Sequence, residues 1–192
     1  MKKVGLLGGS FDPPHKGHIY ISLEAKKVFC LDEVWWIVSP QNPLKINKPA
    51  SYEERLKNCH KLVKNFPINI KEYEKKINSP YSYKTIKYLK NKYDSIKFFW
   101  LMGADNLVGF NKWQNWQEIF NEVSVVVFKR HGYNSNALKS ITNKKFLNYR
   151  ININSLKNFT FQKLPVWHIV ENKEVRISST QIRNQRNQLR KG

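Results

Sequence analysis

His15 and His18 are the residues of this chain whose type and spacing most directly offer chemistry. They close the run Gly8-Gly9-Ser10-Phe11-Asp12-Pro13-Pro14-His15-Lys16-Gly17-His18, which follows the apolar stretch Val4-Gly5-Leu6-Leu7 and leads into a helical pattern over 19–29. Residues three apart share one face of a helix, so both imidazoles can reach a single bound group. A strand, a glycine turn and a helix N-terminus together form an anion site, because backbone N–H groups and the helix dipole converge there. Glycines let the backbone approach a ligand that a side chain would block. Nucleotide phosphate chemistry suits this arrangement. A second constellation lies near the other end, in Ile177-Ser178-Ser179-Thr180-Gln181-Ile182-Arg183. Its hydroxyls can cap a helix and leave N–H groups for an anion, with Arg183 one turn in. Arg186 and Arg190 continue at helical spacing and read as a solvated basic stripe.

The elements that must position these residues alternate between strand and helix patterns, the signal for βαβ units and a parallel sheet. Strands are predicted at 4–7, 34–38, 68–70, 98–102 and 123–128, with late edge strands at 159–164 and 166–169. Helices are predicted from Ser51, where Glu54 completes a capping box, to about Lys64, then at 83–91 and 179–189. The polar stretch 134–158 reads as a helix plus loop, and 41–49 as a loop rich in proline and asparagine. The expected fold is α/β: a Rossmann-like, doubly wound, mostly parallel sheet with helices on both faces, in a single domain over 1–192. Ligands in such sheets sit beyond the carboxyl ends of the strands, where the strand order switches. The turns opening at Gly8, Pro40 and Gly103 fall at strand ends of that kind.

Composition sets the outer bounds. A chain of 192 residues, 41% hydrophobic, has ample length for a packed core. No apolar run approaches the ~20 residues that span a bilayer, so no membrane role is expected. Cys30 and Cys59 lack metal spacing and read as reduced thiols of a cytoplasmic protein. The net charge of +20 raises the question of nucleic acid, yet the lysines are spread along the chain and only the C-terminal arginines are concentrated. An anionic small molecule explains that end equally well, and nucleic acid is not expected as the partner. A positive surface would hasten the arrival of anionic substrates. Neither the dinucleotide-binding Gly-x-Gly-x-x-Gly nor the Gly-x-x-x-x-Gly-Lys-Ser/Thr phosphate loop occurs.

The first run resembles the HxGH signature of the nucleotidyltransferase superfamily, with His15, Gly17 and His18 in its places, and ISSTxIR at 177–183 is similar to the companion signature. Ser82-Tyr83-Lys84-Thr85, Gly103-Ala104-Asp105, Lys112-Trp113 and Lys129-Arg130-His131-Gly132 resemble the ordered set of the nicotinate-mononucleotide adenylyltransferase family. The resemblance runs from Lys2 to about Arg183. It implies transfer of the adenylyl group of ATP to nicotinate mononucleotide, by direct in-line attack without a covalent intermediate, giving nicotinate adenine dinucleotide and pyrophosphate. It assigns His15, His18, Lys45 and Arg183 to the charge that builds during transfer. ATP would be held by Gly8, Gly9, Ser10 and Phe11, by the two histidines, by Gly103 and Asp105, and by Ile177, Ser178, Ser179, Thr180 and Arg183. Thr85, Trp113 and Arg130 would hold the nicotinate mononucleotide, with the indole of Trp113 stacked on its electron-poor ring.

Mg²⁺ is implied as a cofactor carried mainly by the ATP phosphates, with no metal site of the protein's own. A homo-oligomer is compatible with the resemblance. Two departures stand out: Asn42-Pro43-Leu44 precedes Lys45 where the family more often has a second proline and a histidine, and His131 follows Arg130 where the family usually has proline. Sister adenylyltransferases acting on nicotinamide mononucleotide, pantetheine phosphate or a flavin nucleotide would share the first and last motifs. A basic nucleic-acid-binding domain on the same fold is the rival of another class.

Overall fold

A computed structural model describes residues 1–40, 49–153, 163–171 and 177–189. Its strands are β1 (Lys2–Gly9), β2 (Glu33–Val38), β3 (Ile68–Lys71), β4 (Ile96–Gly103), β5 (Ser124–Phe128), β6 (Arg150–Ile153) and β7 (Trp167–Val170). They form one sheet in the order β3-β2-β1-β4-β5-β7-β6, with every neighbouring pair parallel. The helices are α1 (Lys16–Val28), α2 (Tyr52–Val63), α3 (Tyr73–Lys76), α4 (Ser82–Lys92), α5 (Ala104–Val108), α6 (Trp116–Glu122), α7 (Asn134–Lys139), α8 (Ile141–Lys145) and α9 (Ser179–Leu189). Short 3₁₀ turns occupy Phe110–Lys112 and Leu147–Tyr149. No helix among the described residues is long and apolar enough to cross a membrane.

Parallel strands covered on both faces read as unbroken apolar runs, and β2, β4 and β5 do so here. Their residues divide strictly by parity. In β4, Phe98, Trp100 and Met102 enter one core with Ile86 and Leu89 of α4 and Ile119 and Phe120 of α6. Phe99 and Leu101 enter the other, with Ile19, Ala25 and Val28 of α1 and Cys59 and Val63 of α2. From β1 the chain winds outward through β2 to β3, then returns to place β4 on the opposite side of β1. The winding therefore reverses between β1 and β4, where the departing loops part and leave a crevice.

Two sequence expectations are corrected at the far edge. The segment at 166–169 was expected as an edge strand, but β7 lies inside the sheet, between β5 and β6. Trp167 is fully buried there, its indole N–H donating to the Phe146 carbonyl at 2.8 Å. The edge position goes to β6, within the stretch read as a helix plus loop. The rest of that stretch, as far as it is described, holds α7, α8 and a 3₁₀ turn. Arg150-Ile151-Asn152-Ile153 is too short for its alternation to stand out, and only its pairing with β7 makes it a strand. The strand expected at 159–164 has residues 159–162 outside the described residues, and Lys163 and Leu164 are not in a strand.

Candidate active site

The two histidines build the start of α1 themselves. His15 is its N-cap, and the imidazole Nδ1 accepts the Gly17 N–H at 3.1 Å. The Nδ1 of His18 in turn accepts the backbone N–H of His15 at 3.1 Å. This is a reciprocal capping box in which imidazoles take the parts usually played by Ser or Thr and by Glu or Gln. An Nδ1 that accepts must be unprotonated, so each neutral ring carries its proton on Nε2. The rings stack with centroids 3.8 Å apart. Gly17 is required by this fold-back, since a Cβ there would lie 2.9 Å from the His15 Nδ1.

Burial lowers the His15 pKa to about 4, the nearby Arg130 charge adds to the effect, and Asp105 opposes it. The shift favours the neutral ring, an N–H donor, near neutral pH. Beneath His18 lies Phe11, 4.9 Å away between centroids, itself stacked on Trp36 at 4.6 Å. The Trp36 indole donates to Ser22 Oγ at 2.8 Å, and Ser22 donates to the His18 carbonyl at 2.8 Å. The His18 ring is thus backed by Phe11 and Trp36, and the His15 ring stacks on it in turn.

These rings line a cavity of about 530 Å³ that the start of α9 also lines. Ser178 caps α9 by accepting the Gln181 N–H at 3.1 Å, and Ser179 Oγ donates to the Pro13 carbonyl at 3.0 Å. Arg183 donates to the Asp12 carbonyl and to Thr180 Oγ1, with the Asp12 carboxylate 3.8 Å away. On the β4 and β5 side, Arg130 donates to Asp105 Oδ2 at 2.7 Å and to the Ile177 carbonyl at 3.1 Å. Asp105 Oδ1 is buried with no hydrogen-bond partner among the described residues. The N-cap of α5 is Gly103, so Asp105 is not the capping residue, and of its two oxygens only Oδ2 is taken among the described residues, by Arg130.

A second cavity of about 340 Å³ adjoins the first, lined by Gly8, Gly9, Ser39, Glu74, Tyr81, Ser82, Lys112 and Trp113 among others. Trp113 rests on Phe110 at 4.7 Å and edge-on to Trp100 at 6.2 Å. Trp100 also explains Gly8, where a Cβ would fall 2.4 Å from the indole. The start of α4 opens on this cavity at Tyr81 and Ser82, with no side chain capping it. That end of a helix favours a negative group. The two cavities meet at Asn106, which lines both, and at the consecutive residues Gly9 and Ser10, which line one each.

The Cytidylyltransferase-like family matches residues 6–185 of this chain. A protein of Ruegeria sp. (strain TM1040) named "Probable nicotinate-nucleotide adenylyltransferase" is 40% identical over 180 residues, covering 94% of this chain and 95% of its own. One from Agrobacterium fabrum with the same name is 37% identical over 182 residues, covering 94% and 97%. The chain belongs to the nicotinate-nucleotide adenylyltransferase family. The nicotinic acid mononucleotide adenylyltransferase of Plasmodium falciparum, solved with NaAD, shares its fold with a TM-score of 0.70 at 17% identity, over 96% of this chain and 83% of that one.

Within this member of the family, the residues expected at the ATP site mostly gather on the larger cavity: Ser10, Phe11, His15, His18, Asp105, Ile177, Ser178, Ser179, Thr180 and Arg183. Gly8 and Gly9 line the second cavity instead, beside Trp113. Gly103 closes β4 next to Asp105. Arg130, expected with the nicotinate mononucleotide, stands on the larger cavity, because its guanidinium is committed to Asp105 and Ile177. Thr85 lines neither cavity; it is fully buried within α4, and Ser82, one turn earlier, reaches the cavity. Lys45 lies outside the described residues.

Sequence reasoning missed Arg55, Glu74, Ser82 and Asn106. Arg55 is 1% exposed and donates to four carbonyls, those of Ser10 (2.6 Å), Ser39 (2.7 Å), Pro40 (2.7 Å) and Ala50 (3.0 Å). It pins the ends of β1 and β2 together. Its signal was present in the sequence, as an arginine on the stripe Arg55, Cys59, Val63 that α2 buries.

Proposed function

We propose that the protein joins nicotinate mononucleotide to the adenylyl group of ATP, in the synthesis of nicotinamide adenine dinucleotide. The observation that carries this reading is the pair of adjoining cavities meeting at Asn106 and at the end of β1. The larger one presents imidazoles, Arg183 and the start of α9, the donors that a polyphosphate needs. The smaller one offers an indole and the start of α4, which suit a flat ring bearing a carboxylate. A nucleotide in each cavity brings the acceptor phosphate to the α-phosphorus at the junction.

An acceptor phosphate oxygen then forms the new bond to the α-phosphorus while the bond to the pyrophosphate oxygen breaks. The acceptor phosphate is already an anion near neutral pH, so the step needs no general base. Positioning and stabilisation of the developing charge supply the rate. His15 and His18 would donate from Nε2 to the α-phosphate oxygens, and Arg183 would meet the departing pyrophosphate. Asp105 Oδ1 is placed to accept from a ribose hydroxyl. Neither cysteine takes part: Cys30 is exposed, and burial pushes the Cys59 thiol up to about 12.

Among the described residues, no three His, Cys, Asp or Glu side chains are grouped to hold a metal ion. A divalent cation would arrive on the ATP phosphates as part of the substrate. Dependence on cellular ATP, together with two unpaired cysteines, supports work in the cytoplasm. The test is pyrophosphate release with ATP and a panel of acceptors: nicotinate mononucleotide, nicotinamide mononucleotide, pantetheine phosphate and a flavin nucleotide. Nicotinate mononucleotide should give the highest kcat/KM. Preference for any other acceptor, or release with none, overturns the proposal.

A further inference from the structure

Glu74 is a buried carboxyl that the reaction as described does not use. It sits on the short helix α3 and is 2% exposed, yet it lines the second cavity together with Trp113 and the start of α4. The Ser39 hydroxyl bonds its carboxyl, while Oε2 meets no hydrogen-bond partner among the described residues. An unsatisfied carboxyl oxygen at this depth is costly, so a fold that keeps it has left a place for a partner to arrive. The partner that enters this cavity is the acceptor nucleotide, on the reading given above.

We propose that Glu74 is a specificity-determining residue that reads whether the acceptor ring carries a carboxylate or an amide. In its neutral form Glu74 donates its carboxyl proton to the ring carboxylate, sharing one proton between two acid groups. In its ionised form it repels that carboxylate and accepts from the NH₂ of an amide. A carboxylate has no proton to give and an ionised glutamate has none either, so acid selection requires the neutral form.

The surroundings favour that form. Burial pushes the Glu74 carboxyl up to about 7, and the Ser39 hydroxyl opposes this more weakly. The groups around it are Ser39 just after β2, Tyr52 of α2, Tyr81 and Ser82 at the start of α4, and Lys112, which lines the same cavity. Tyr52 is pushed well above the usual tyrosine range, first by burial and then by the charge of Glu72, so it stays neutral wherever Glu74 titrates. The cations nearby are Lys112 on the cavity lining and, against the Tyr52 ring, Arg55 and Lys75, and they face either form of the acceptor alike.

The experiment measures kcat/KM for nicotinate mononucleotide and for nicotinamide mononucleotide, with saturating ATP, from about pH 6 to about pH 8.5. The acceptor phosphate also titrates in this range, but it is common to both substrates and cancels in their ratio. In the wild type the acid-to-amide ratio should fall by about tenfold or more as pH rises, as the neutral form of Glu74 is lost. Glu74→Gln keeps an N–H donor and an acceptor at every pH, so its ratio should be flat. Its circular dichroism and thermal melt should match the wild type. A flat wild-type ratio overturns the proposal whatever the variant does, and so does a slope that persists in Glu74→Gln. Pyrophosphate release from neither mononucleotide would bring down the proposed function and Glu74 with it, whereas release from both at a constant ratio would bring down Glu74 alone.

Discussion

The two cavities share a wall but are assembled in opposite ways. The larger cavity, proposed for the ATP phosphates, is concentrated in sequence: His15, Gly17 and His18 lie within four residues, and the same bonds that start α1 also orient both imidazoles. The ring side draws on separate segments: the end of β1, Ser39 after β2, Glu74 on α3, Tyr81 and Ser82 at α4, and Trp113 after β4. A local site carries its geometry in its own motif. A dispersed one depends on the whole sheet holding those segments at the right separation. Perturbations of the common support should harm both sides, and perturbations of one side should leave the other intact.

Arg55 is the common support, and its loss should give the largest effect. Arg55→Leu keeps the apolar stem but leaves the carbonyls of Ser10, Ser39, Pro40 and Ala50 without their donor. A loss of about 3 kcal/mol or more is expected in urea unfolding, since buried acceptors are left unpaired. KM for both substrates should rise together, because Ser10 lies on one cavity and Ser39 on the other. A rise confined to one substrate would show that Arg55 does not hold the two sides in common.

His18→Ala tests the concentrated side. If its Nε2 proton meets charge that grows only as the α-phosphate is attacked, kcat should fall by about 10²-fold or more, with little change in KM for either substrate. A folded variant with unchanged kcat would remove His18 from the chemistry. Trp113→Ala tests the dispersed side. Stacking of a flat ring contributes about 1–3 kcal/mol, so KM for the acceptor should rise by roughly tenfold to a hundredfold. KM for ATP should stay nearly constant, and an unchanged acceptor KM would make Trp113 mere packing against Phe110 and Trp100.

The same contrast explains how much was legible before the structure. The strands β1, β2, β4 and β5 announce themselves as apolar runs because both faces are covered, and α9 was bounded correctly by its serine cap. Most of the residues expected around ATP do share one cavity. The ring side was harder to read. Trp113 lines the second cavity, whereas Thr85 is buried and Ser82 reaches the cavity, and only the three-dimensional course of α4 shows which of its first residues opens outward. Sequence order likewise cannot reveal that the Arg130 guanidinium turns to Asp105 and stands on the larger cavity. Glu74 sits in a lysine-rich stretch that resembles a solvated surface, and no periodicity marks a four-residue helix as buried. What the sequence hides gathers where a cavity depends on contacts between distant segments.

The smallest expected effect separates the structural duty of His15 from its chemical one. In the unfolded chain this histidine titrates near 6.5, whereas in the folded protein burial, helped by Arg130, lowers it to about 4. The unfolded chain therefore takes up the proton first as pH falls. Stability contributed by the neutral ring is whole above about 6.5, declines between there and about 4, and then levels off. His168, fully buried on β7 and lowered by burial to about 4, adds a decline in the same window and the same direction. His15→Asn retains an oxygen that can cap α1, so the helix start should survive. It removes the His15 share of the pH dependence and leaves that of His168. Urea unfolding at about pH 7 and about pH 5 should show the variant losing less stability than the wild type, by on the order of 1 kcal/mol after allowance for solvent screening of the ring. Equal losses in both proteins would mean that His15 is not held neutral by its burial, and the assignment of its proton to Nε2 as a neutral donor would have to be abandoned.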